Sequence, residues 1–363
     1  MQIMKKIDWY ILKKFLGTFF YAILIFVVIS VVIDITEKID DFISSHQSVY
    51  QIIFNYYLGF IPHIAALLFP LFIFIAVIFF TSKMAYRSEI IAILGSGASF
   101  NRLLRAYWVG SILLALLLGV ANQSWIPRAN QIRTAFEDKY IDNPTQKKDV
   151  LVNIHMRIDP ETYISINSYY PGDHYASGVT IETIKGRQLI DRLESQYLRW
   201  DTAAKAWRSS SAIYRRLGTL RQQVNVARDT LLKLPLTPDD LVQQNSDMTA
   251  MTTPQLNRII ARQEMRGSEG INFLYVEKYR RTASAVSVII LAFIGAVIAS
   301  RKVRGGSGLH LALGIVISAS YILFMQFSTT FSVKGTLNPL LAVWIPNIFF
   351  AGVAYALYRK APK

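Results

Sequence analysis

The stretch 15–33, FLGTFFYAILIFVVISVVI, decides the fold of this chain because it carries no charged residue over nearly the thickness of a membrane. A helix that spans a bilayer needs about 20 mostly apolar residues. Five more segments that are almost free of charge follow at 52–80, 103–121, 282–300, 309–331 and 340–358. The sequence therefore predicts six membrane-spanning helices.

The composition of the whole chain leaves two interpretations open. It has 363 residues, of which 52% are hydrophobic and 17% charged, and its net charge is +15. Disorder and coiled coil are excluded, and a soluble domain would carry more charge. What remains is a membrane protein with its basic residues on one side, or a nucleic-acid binder with an apolar core. There is no cysteine, so the chain has neither a disulfide nor a cysteine metal site.

The positions of the basic residues separate these two interpretations. Short opposite loops contain only Lys38 and Lys334. Fourteen basic residues lie in the alternate connections and tails: Lys5, Lys6, Lys13, Lys14, Lys83, Arg87, Arg102, Arg105, Arg301, Lys302, Arg304, Arg359, Lys360 and Lys363. Lys and Arg mark the cytoplasmic side of a membrane protein. Both termini are predicted to be cytoplasmic, and nucleic-acid binding is disfavoured because the charges form no continuous stripe.

The long polar connection between spans three and four predicts a separate β domain. Alternating segments occur at 163–170, 179–184, 188–200 and 206–217, with turn residues between them. They indicate a small antiparallel sandwich or jelly roll. Seven side chains are predicted to point inward: Tyr163, Ile164, Ile166, Val179, Ile181, Leu198 and Trp200.

Four regions follow from this pattern. The first membrane half, with spans one to three, covers 1–121, and the jelly-roll-like β domain covers 122–235 and lies on the outer side, which is the periplasm in a cell with two membranes. Helix starts at 237–240 and at 253–254 predict a helical linker over 236–281. The second membrane half, with spans four to six, covers 282–363.

Motifs for catalysis or metal binding are missing from the sequence. Gly95-Ser96-Gly97 lacks the lysine of a phosphate-binding loop. The five histidines are scattered, and none has a partner at helical spacing for a zinc site. We therefore predict no catalytic residues and no metal site.

The loop segment 82–100, SKMAYRSEIIAILGSGASF, predicts a short amphipathic helix. Ser88 is a possible N-cap, Ile90, Ile91 and Leu94 form an apolar face, and glycines follow. Such a helix either lies on the membrane surface or docks into a groove on a partner protein. The carboxylate of Glu89 favours the partner, because it would pair with a cation there.

Four stretches of the sequence, 8–15, 87–97, 301–306 and 338–347, resemble one known family, the lipopolysaccharide export permeases of the LptF/LptG type. Residues 87–97, RSEIIAILGSG, resemble the cytoplasmic coupling-helix motif of that family. Residues 8–15, DWYILKKF, look like its entry into span one, and 301–306 with 338–347 are similar to its last two spans. The resemblance covers essentially the whole chain in the right order.

The resemblance implies a subunit of an ATP-driven exporter in the bacterial inner membrane. Its expected partners are a cytoplasmic ATPase dimer, a second permease subunit (a paralogue or a copy of itself), periplasmic jelly-roll bridge proteins and lipopolysaccharide. The chain would bind no cofactor, because ATP is used by the ATPase. A coupling helix at about 83–97 would contact that ATPase through Arg87, Glu89, Ile90, Leu94, Gly95 and Gly97.

Substrate contacts are predicted for two kinds of residue. Candidate cations for the lipid phosphates are Lys38, His63, Arg133, Arg280 and Arg281. Candidate apolar wall residues are Phe26, Phe60, Phe324 and Phe327. The alternative is that the cations anchor helix ends and the phenylalanines pack helices. The chain departs from the family at the end of span one, where it has Asp34 and Glu37 beside Lys38.

Two other functions remain open on the sequence. One is a membrane anchor that scaffolds an envelope complex without moving a substrate. The other is an enzyme that modifies glycolipids in the β domain, where His155, Asp159, Asp173 and His174 occur without a spacing that joins them.

Overall fold

The computed structural model describes residues 5–141, 150–186, 188–217, 222–238, 241, 248–266, 271–301 and 306–361. Lys302, Arg304 and Lys363, which contribute to the predicted charge asymmetry, lie outside them. The described helices are α1 (Lys6–Ser44), α2 (Val49–Ile52), α3 (Leu58–Tyr86), α4 (Glu89–Gly95), α5 (Phe100–Val120), α6 (Ile126–Phe136), α7 (Thr253–Arg266), α8 (Ile271–Ala299), α9 (Gly306–Val333) and α10 (Pro339–Arg359).

Six helical stretches in the described chain are long and apolar enough to cross a membrane, which confirms the predicted number. Spans one to six are Lys6–Ser44, Val49–Tyr86, Phe100–Ile141, Ile271–Ala299, Gly308–Val333 and Pro339–Arg359.

Spans two and three are continued by π-helical turns. The turn Ile53–Tyr57 joins α2 to α3, and Ala121–Trp125 joins α5 to α6. A further π-helical turn, Glu137–Ile141, extends α6. The predicted boundary after Ala121 therefore falls inside a continuous helix, because helical hydrogen bonding continues where the apolar composition stops.

Two compact units make up the chain. The helical unit contains residues up to Phe136, the segment Thr249–Thr253 and the residues from Asn272 onward. Its core includes Phe15 on α1 and Tyr107 on α5, whose ring centroids lie 6.2 Å apart. Gly110 allows this approach, since a Cβ there would lie 2.6 Å from the Phe15 ring.

The second unit contains a six-stranded antiparallel sheet. Its strands are β1 (Leu151–Asp159), β2 (Thr162–Tyr170), β3 (Tyr175–Lys185), β4 (Gln188–Asp201), β5 (Ala206–Leu217) and β6 (Gln222–Leu232). β2 to β5 confirm the four predicted strands, and β1 and β6 were not predicted. The described strands follow in sequence order as a meander. The inserted antiparallel β domain is confirmed, although the described strands lack the crossover of a jelly roll.

The face of the sheet that is buried changes along the strands, because buried residues such as Ala176 and Val179, or Leu193 and Leu198, are an odd number of positions apart. Ile164, Ile166, Val179, Ile181, Leu193, Leu198 and Trp207 are buried in its core. Trp207 Nε1 donates a 2.7 Å hydrogen bond to the carbonyl of Leu236, which closes the core beyond β6. The prediction that Tyr163 points inward is wrong. Its neighbour Ile164 is buried, consecutive residues of a strand face opposite sides, and Tyr163 is 41% exposed.

Helix α7 begins at Thr253, one of the two predicted helix starts. The other, at 237–240, lies partly outside the described residues, because Asp239 and Asp240 are not among them.

Candidate functional site

A short helix, α4, lies between α3 and α5 within the segment 83–97 that was predicted as a coupling helix, although residues 83–86 belong to α3. Ser88 occupies its N-cap position with φ 59°, in the left-handed region, and its side chain makes no capping hydrogen bond. The left-handed conformation of Ser88 interrupts the helix between α3 and α4. Gly97 also has a positive φ of 85°, a conformation that suits glycine after a helix end.

The apolar residues of α4 do not share one exposed face. Ile90 is only 2% exposed and belongs to the core formed by α1, α3 and α5. Leu94 is partly buried against the same core, whereas Ile91 is 55% exposed. The prediction that Ile90, Ile91 and Leu94 form one apolar face is therefore wrong. Ile90 and Leu94 anchor the helix to its own chain, and Ile91 with Arg87 remains outside.

Helix α1 contacts both the start of α4 and the start of α5. The Tyr10 hydroxyl donates a hydrogen bond to Glu89 Oε2 at 3.2 Å. Arg102 Nη2 lies 3.3 Å from Asp8 Oδ2, and the Asp8 side chain is 2% exposed. A buried carboxylate that is paired in this way fixes the position of its partner. The start of span one and the α4 loop are thus tied together.

A buried carboxylate marks the opposite end of span one. Asp34 accepts hydrogen bonds from the hydroxyls of Tyr56 and Tyr57, each at 2.9 Å. Lys38 Nζ lies 3.4 Å from Asp34 Oδ1 and 4.8 Å from the centre of the Tyr56 ring. Two hydroxyls and one cation satisfy the Asp34 charge. The candidate Lys38 is therefore engaged within its own chain.

The candidate phenylalanines lie in different surroundings. Phe60 packs against Tyr56, with ring centroids 5.7 Å apart, and so belongs to the Asp34 cluster. Phe26 packs against Phe72 at 4.7 Å. Phe324 contacts Phe349 at 5.5 Å, while Phe327 is 62% exposed.

Spans two and three meet closely beside the candidates His63 and Arg133, which are both partly buried. A Cβ added to Gly59 would lie 2.3 Å from the Ala129 carbonyl oxygen and 2.8 Å from the Arg133 nitrogen. Only a glycine allows the two backbones to approach this far. The backbone of Arg133 is therefore part of the contact between spans two and three.

Arg280 and Arg281 share the carboxylate of Glu277 but differ in exposure. Arg280 Nη2 lies 2.6 Å from Glu277 Oε2, and its side chain is 42% exposed. Arg281 Nε lies 3.1 Å from Glu277 Oε1, and its side chain is 5% exposed. Arg281 also donates to Thr253 Oγ1 at 3.1 Å and to the Met251 carbonyl at 2.7 Å. Arg281 is therefore part of the internal framework.

The segment Thr249–Thr253 is held from a second direction by α6. Asn130 Nδ2 donates to the Thr249 carbonyl at 3.0 Å, and Gln131 Nε2 donates to the Ala250 carbonyl at 2.8 Å. Sequence reasoning missed this anchoring segment. Its two partners on α6 lie 119 residues away in the sequence, and they bind backbone carbonyls, which leave no side-chain signature.

The structure thus brings some candidates together and leaves others apart. Contacts link Lys38 to Phe60 through Tyr56, and Arg280 to Arg281 through Glu277. Among the residues that the structure describes, no group of three or more histidines and carboxylates has the arrangement of a metal site.

These features define a class: a multi-pass helical membrane protein with an antiparallel β domain inserted between spans three and four. The profile of the lipopolysaccharide export system permease family, LptF/LptG, matches residues 9–360. The chain belongs to this family, so it is a transporter component of the inner membrane rather than an enzyme. No curated protein matches it.

Proposed function

We propose that the chain is the permease subunit of an ATP-driven exporter that extracts lipopolysaccharide from the inner membrane. The observation that carries the proposal is α4, a short helix between spans two and three of a chain from this family. The chain itself binds no nucleotide, and hydrolysis belongs to a cytoplasmic ATPase dimer.

The arrangement of α4 suits the transmission of force. Ile90 anchors the helix in a close-packed core, where a displacement of one element moves its neighbours. Glu89 is bonded to α1 through Tyr10, so the start of span one moves with α4. Arg87 and Ile91 are exposed and supply the contact with a groove of the ATPase.

The burial of the spans supports pairing with a second permease subunit, a paralogue or a copy of this chain. In its most apolar window, span one is 11% buried within the chain and span five is 22% buried, against 56% for span four. Apolar surface on this scale faces lipid or another subunit. We assign spans one and five to the wall of a cavity shared between two permeases.

The charge asymmetry supports an orientation with both termini and α4 in the cytoplasm and the β domain in the periplasm. Among the described strands, β1 and β6 lie at the two edges of the sheet and each pairs with one neighbour only. Addition of strands at such an edge is a common way for β domains to associate. This supports transfer of the lipid to periplasmic bridge proteins.

Among the candidate cations, Arg280 has the best position for a lipid phosphate, because its side chain is 42% exposed and it lies near the end of span four that leads to the β domain. Lys38 would have to leave Asp34 to bind a phosphate, and Arg281 would have to release Met251. His63 and Arg133 remain secondary candidates.

Co-purification of the ATPase with full-length variants tests the proposal. We expect the wild type to retain the ATPase and Glu89→Lys to lose most of it. Glu37→Lys is the control, since it reverses an exposed charge on α1, near the end of span one opposite to the Tyr10 contact with α4. If Glu89→Lys retains both the ATPase and lipopolysaccharide export, α4 is not the coupling element.

A further inference from the structure

The β sheet carries a groove of about 530 Å³ at the end of the strands that contains Tyr175, Tyr197 and Arg208. Its lining includes two tyrosines, two arginines and two aspartates: Tyr175, Tyr197, Arg199, Arg208, Asp173 and Asp229. The groove extends across β3 to β6, all within one unit of the chain.

The groove is separate from the apolar interior of the domain. Ala176, Leu198 and Trp207 are each at most 1% exposed and lie next in sequence to groove residues. Because adjacent residues of a strand face opposite sides, Tyr175, Tyr197 and Arg208 point away from the core. A ligand in this groove would not displace the core packing.

The aromatic side chains of the groove form an accessible surface. The rings of Tyr175 and Tyr197 are nearly parallel, at 25°, with centroids 5.5 Å apart. Tyr170 lies 5.5 Å from Tyr175 and extends the row beyond the groove. Tyr197 is 48% exposed. Tyrosine offers an apolar ring and a hydroxyl at once, which suits a ligand with an apolar face and a polar edge.

The charges of the groove balance one another. Arg208 Nη1 lies 3.1 Å from Asp229 Oδ1, and its Nη2 lies 3.0 Å from Asp201 Oδ2. At Arg208, a phosphate would have to displace these carboxylates and would be repelled by them. A neutral polyol can instead accept from the guanidinium and donate to the carboxylates without breaking the pairs.

We propose that this groove binds a neutral sugar chain, the oligosaccharide portion of the exported glycolipid. The C–H face of a pyranose ring would pack on Tyr197 and Tyr175, and its hydroxyls would bond to Arg208 and Asp229. That the sugar belongs to the exported glycolipid rests on the proposed function. That the groove binds a neutral saccharide rests on the groove alone.

The test is isothermal titration of the full-length protein in nanodiscs with deacylated, dephosphorylated lipopolysaccharide core oligosaccharide. We expect saturable binding to the wild type, a tenfold or greater loss of affinity in Tyr197→Ala, and near wild-type affinity in Tyr197→Phe. Asp229→Asn, at a side chain that is 71% exposed, provides a second variant with little risk of misfolding.

Tyr163→Ala is the matched control, because Tyr163 is an exposed tyrosine on β2 that does not line the groove. It should bind the oligosaccharide as the wild type does. Unchanged affinity in both Tyr197→Ala and Asp229→Asn would overturn the proposal. Competition by inorganic phosphate, or binding of the phosphorylated oligosaccharide alone, would overturn it in favour of an anion site.

Co-purification of the ATPase with the same preparations separates this inference from the proposed function. If the ATPase is retained but the oligosaccharide does not bind, the saccharide site is refuted and the exporter is not. If the oligosaccharide binds in the groove but no ATPase associates, the saccharide site is supported and the exporter is refuted.

Discussion

Arg281 Nη2 donates a 2.7 Å hydrogen bond to the backbone carbonyl of Met251, 30 residues earlier in the chain. This bond fastens the segment Thr249–Thr253 to span four, while Asn130 and Gln131 fasten it to α6. The chain that returns from the β domain is therefore fixed to two spans before α7 begins.

Replacement of Arg281 by methionine should destabilise the helical unit by about 3 kcal/mol, since breaking a buried ion pair leaves its partners unsatisfied. Arg280→Met removes a side chain that is 42% exposed and should cost about 0–1 kcal/mol. Thermal unfolding in detergent measures both. An equal loss of thermal stability in the two variants would contradict the difference in burial between Arg280 and Arg281.

Ile90 and Ile91 form a pair of neighbours with opposite roles. Ile90→Ala should lower the free energy of unfolding by about 2–5 kcal/mol, because it opens a cavity in the core. Ile91→Ala should change it by less than about 0.5 kcal/mol. In co-purification with the ATPase, Ile91→Ala should nevertheless reduce recovery. Full recovery with Ile91→Ala would remove Ile91 from the proposed contact.

Gly59→Ala should destabilise the contact between spans two and three by about 1–3 kcal/mol, because its Cβ would lie 2.3 Å from the Ala129 carbonyl oxygen. Gly17→Ala is the control, since nothing lies within 4 Å of a Cβ there. Alanine is a better helix former, so Gly17→Ala should be neutral or stabilise by up to about 1 kcal/mol. Melting temperatures of both variants measure these effects, and an unchanged melting temperature in Gly59→Ala would contradict the close contact.

The β sheet should become less stable in acid. Backbone hydrogen bonds from Ala204 and the side chain of Arg208 lower the pKa of Asp201 below its usual value. A lowered folded-state pKa gives stability that is present above the unfolded pKa and is lost as the pH falls through the folded one. The protection of amides in β4 and β5 against hydrogen exchange, relative to unstructured peptide at the same pH, should fall below the usual carboxyl range, and Asp201→Asn should reduce this fall. An identical pH profile in the variant would contradict the assignment.

The sequence was sufficient for the parts of the fold that depend on periodicity and composition. Apolar length predicted the six spans, and alternation predicted β2 to β5. It missed β6, where Val224, Asn225 and Val226 are all exposed and no buried face imposes alternation. It also ended span three at Ala121, because π-helical turns and the polar residues of α6 carry no apolar signal.

The candidate site was harder to predict, because pairing depends on tertiary contacts. Charge position alone made Lys38 a candidate ligand, but Asp34 and Tyr56 occupy it. Apolar spacing grouped Ile90 with Ile91, but which side of α4 meets the core depends on the turn at Ser88. The bond between Tyr10 and Glu89 joins residues 79 positions apart, and no local pattern encodes it.

The cluster around Asp34 also limits how this protein can evolve. A change of Asp34 to lysine would set two cations beside each other and take away the acceptor of both the Tyr56 and Tyr57 hydroxyls. A protein in which only one of these residues is replaced should therefore be less stable. We expect the residue types at Asp34, Lys38, Tyr56 and Tyr57 to covary among relatives. A relative with a basic residue at position 34 should differ at the two tyrosines as well.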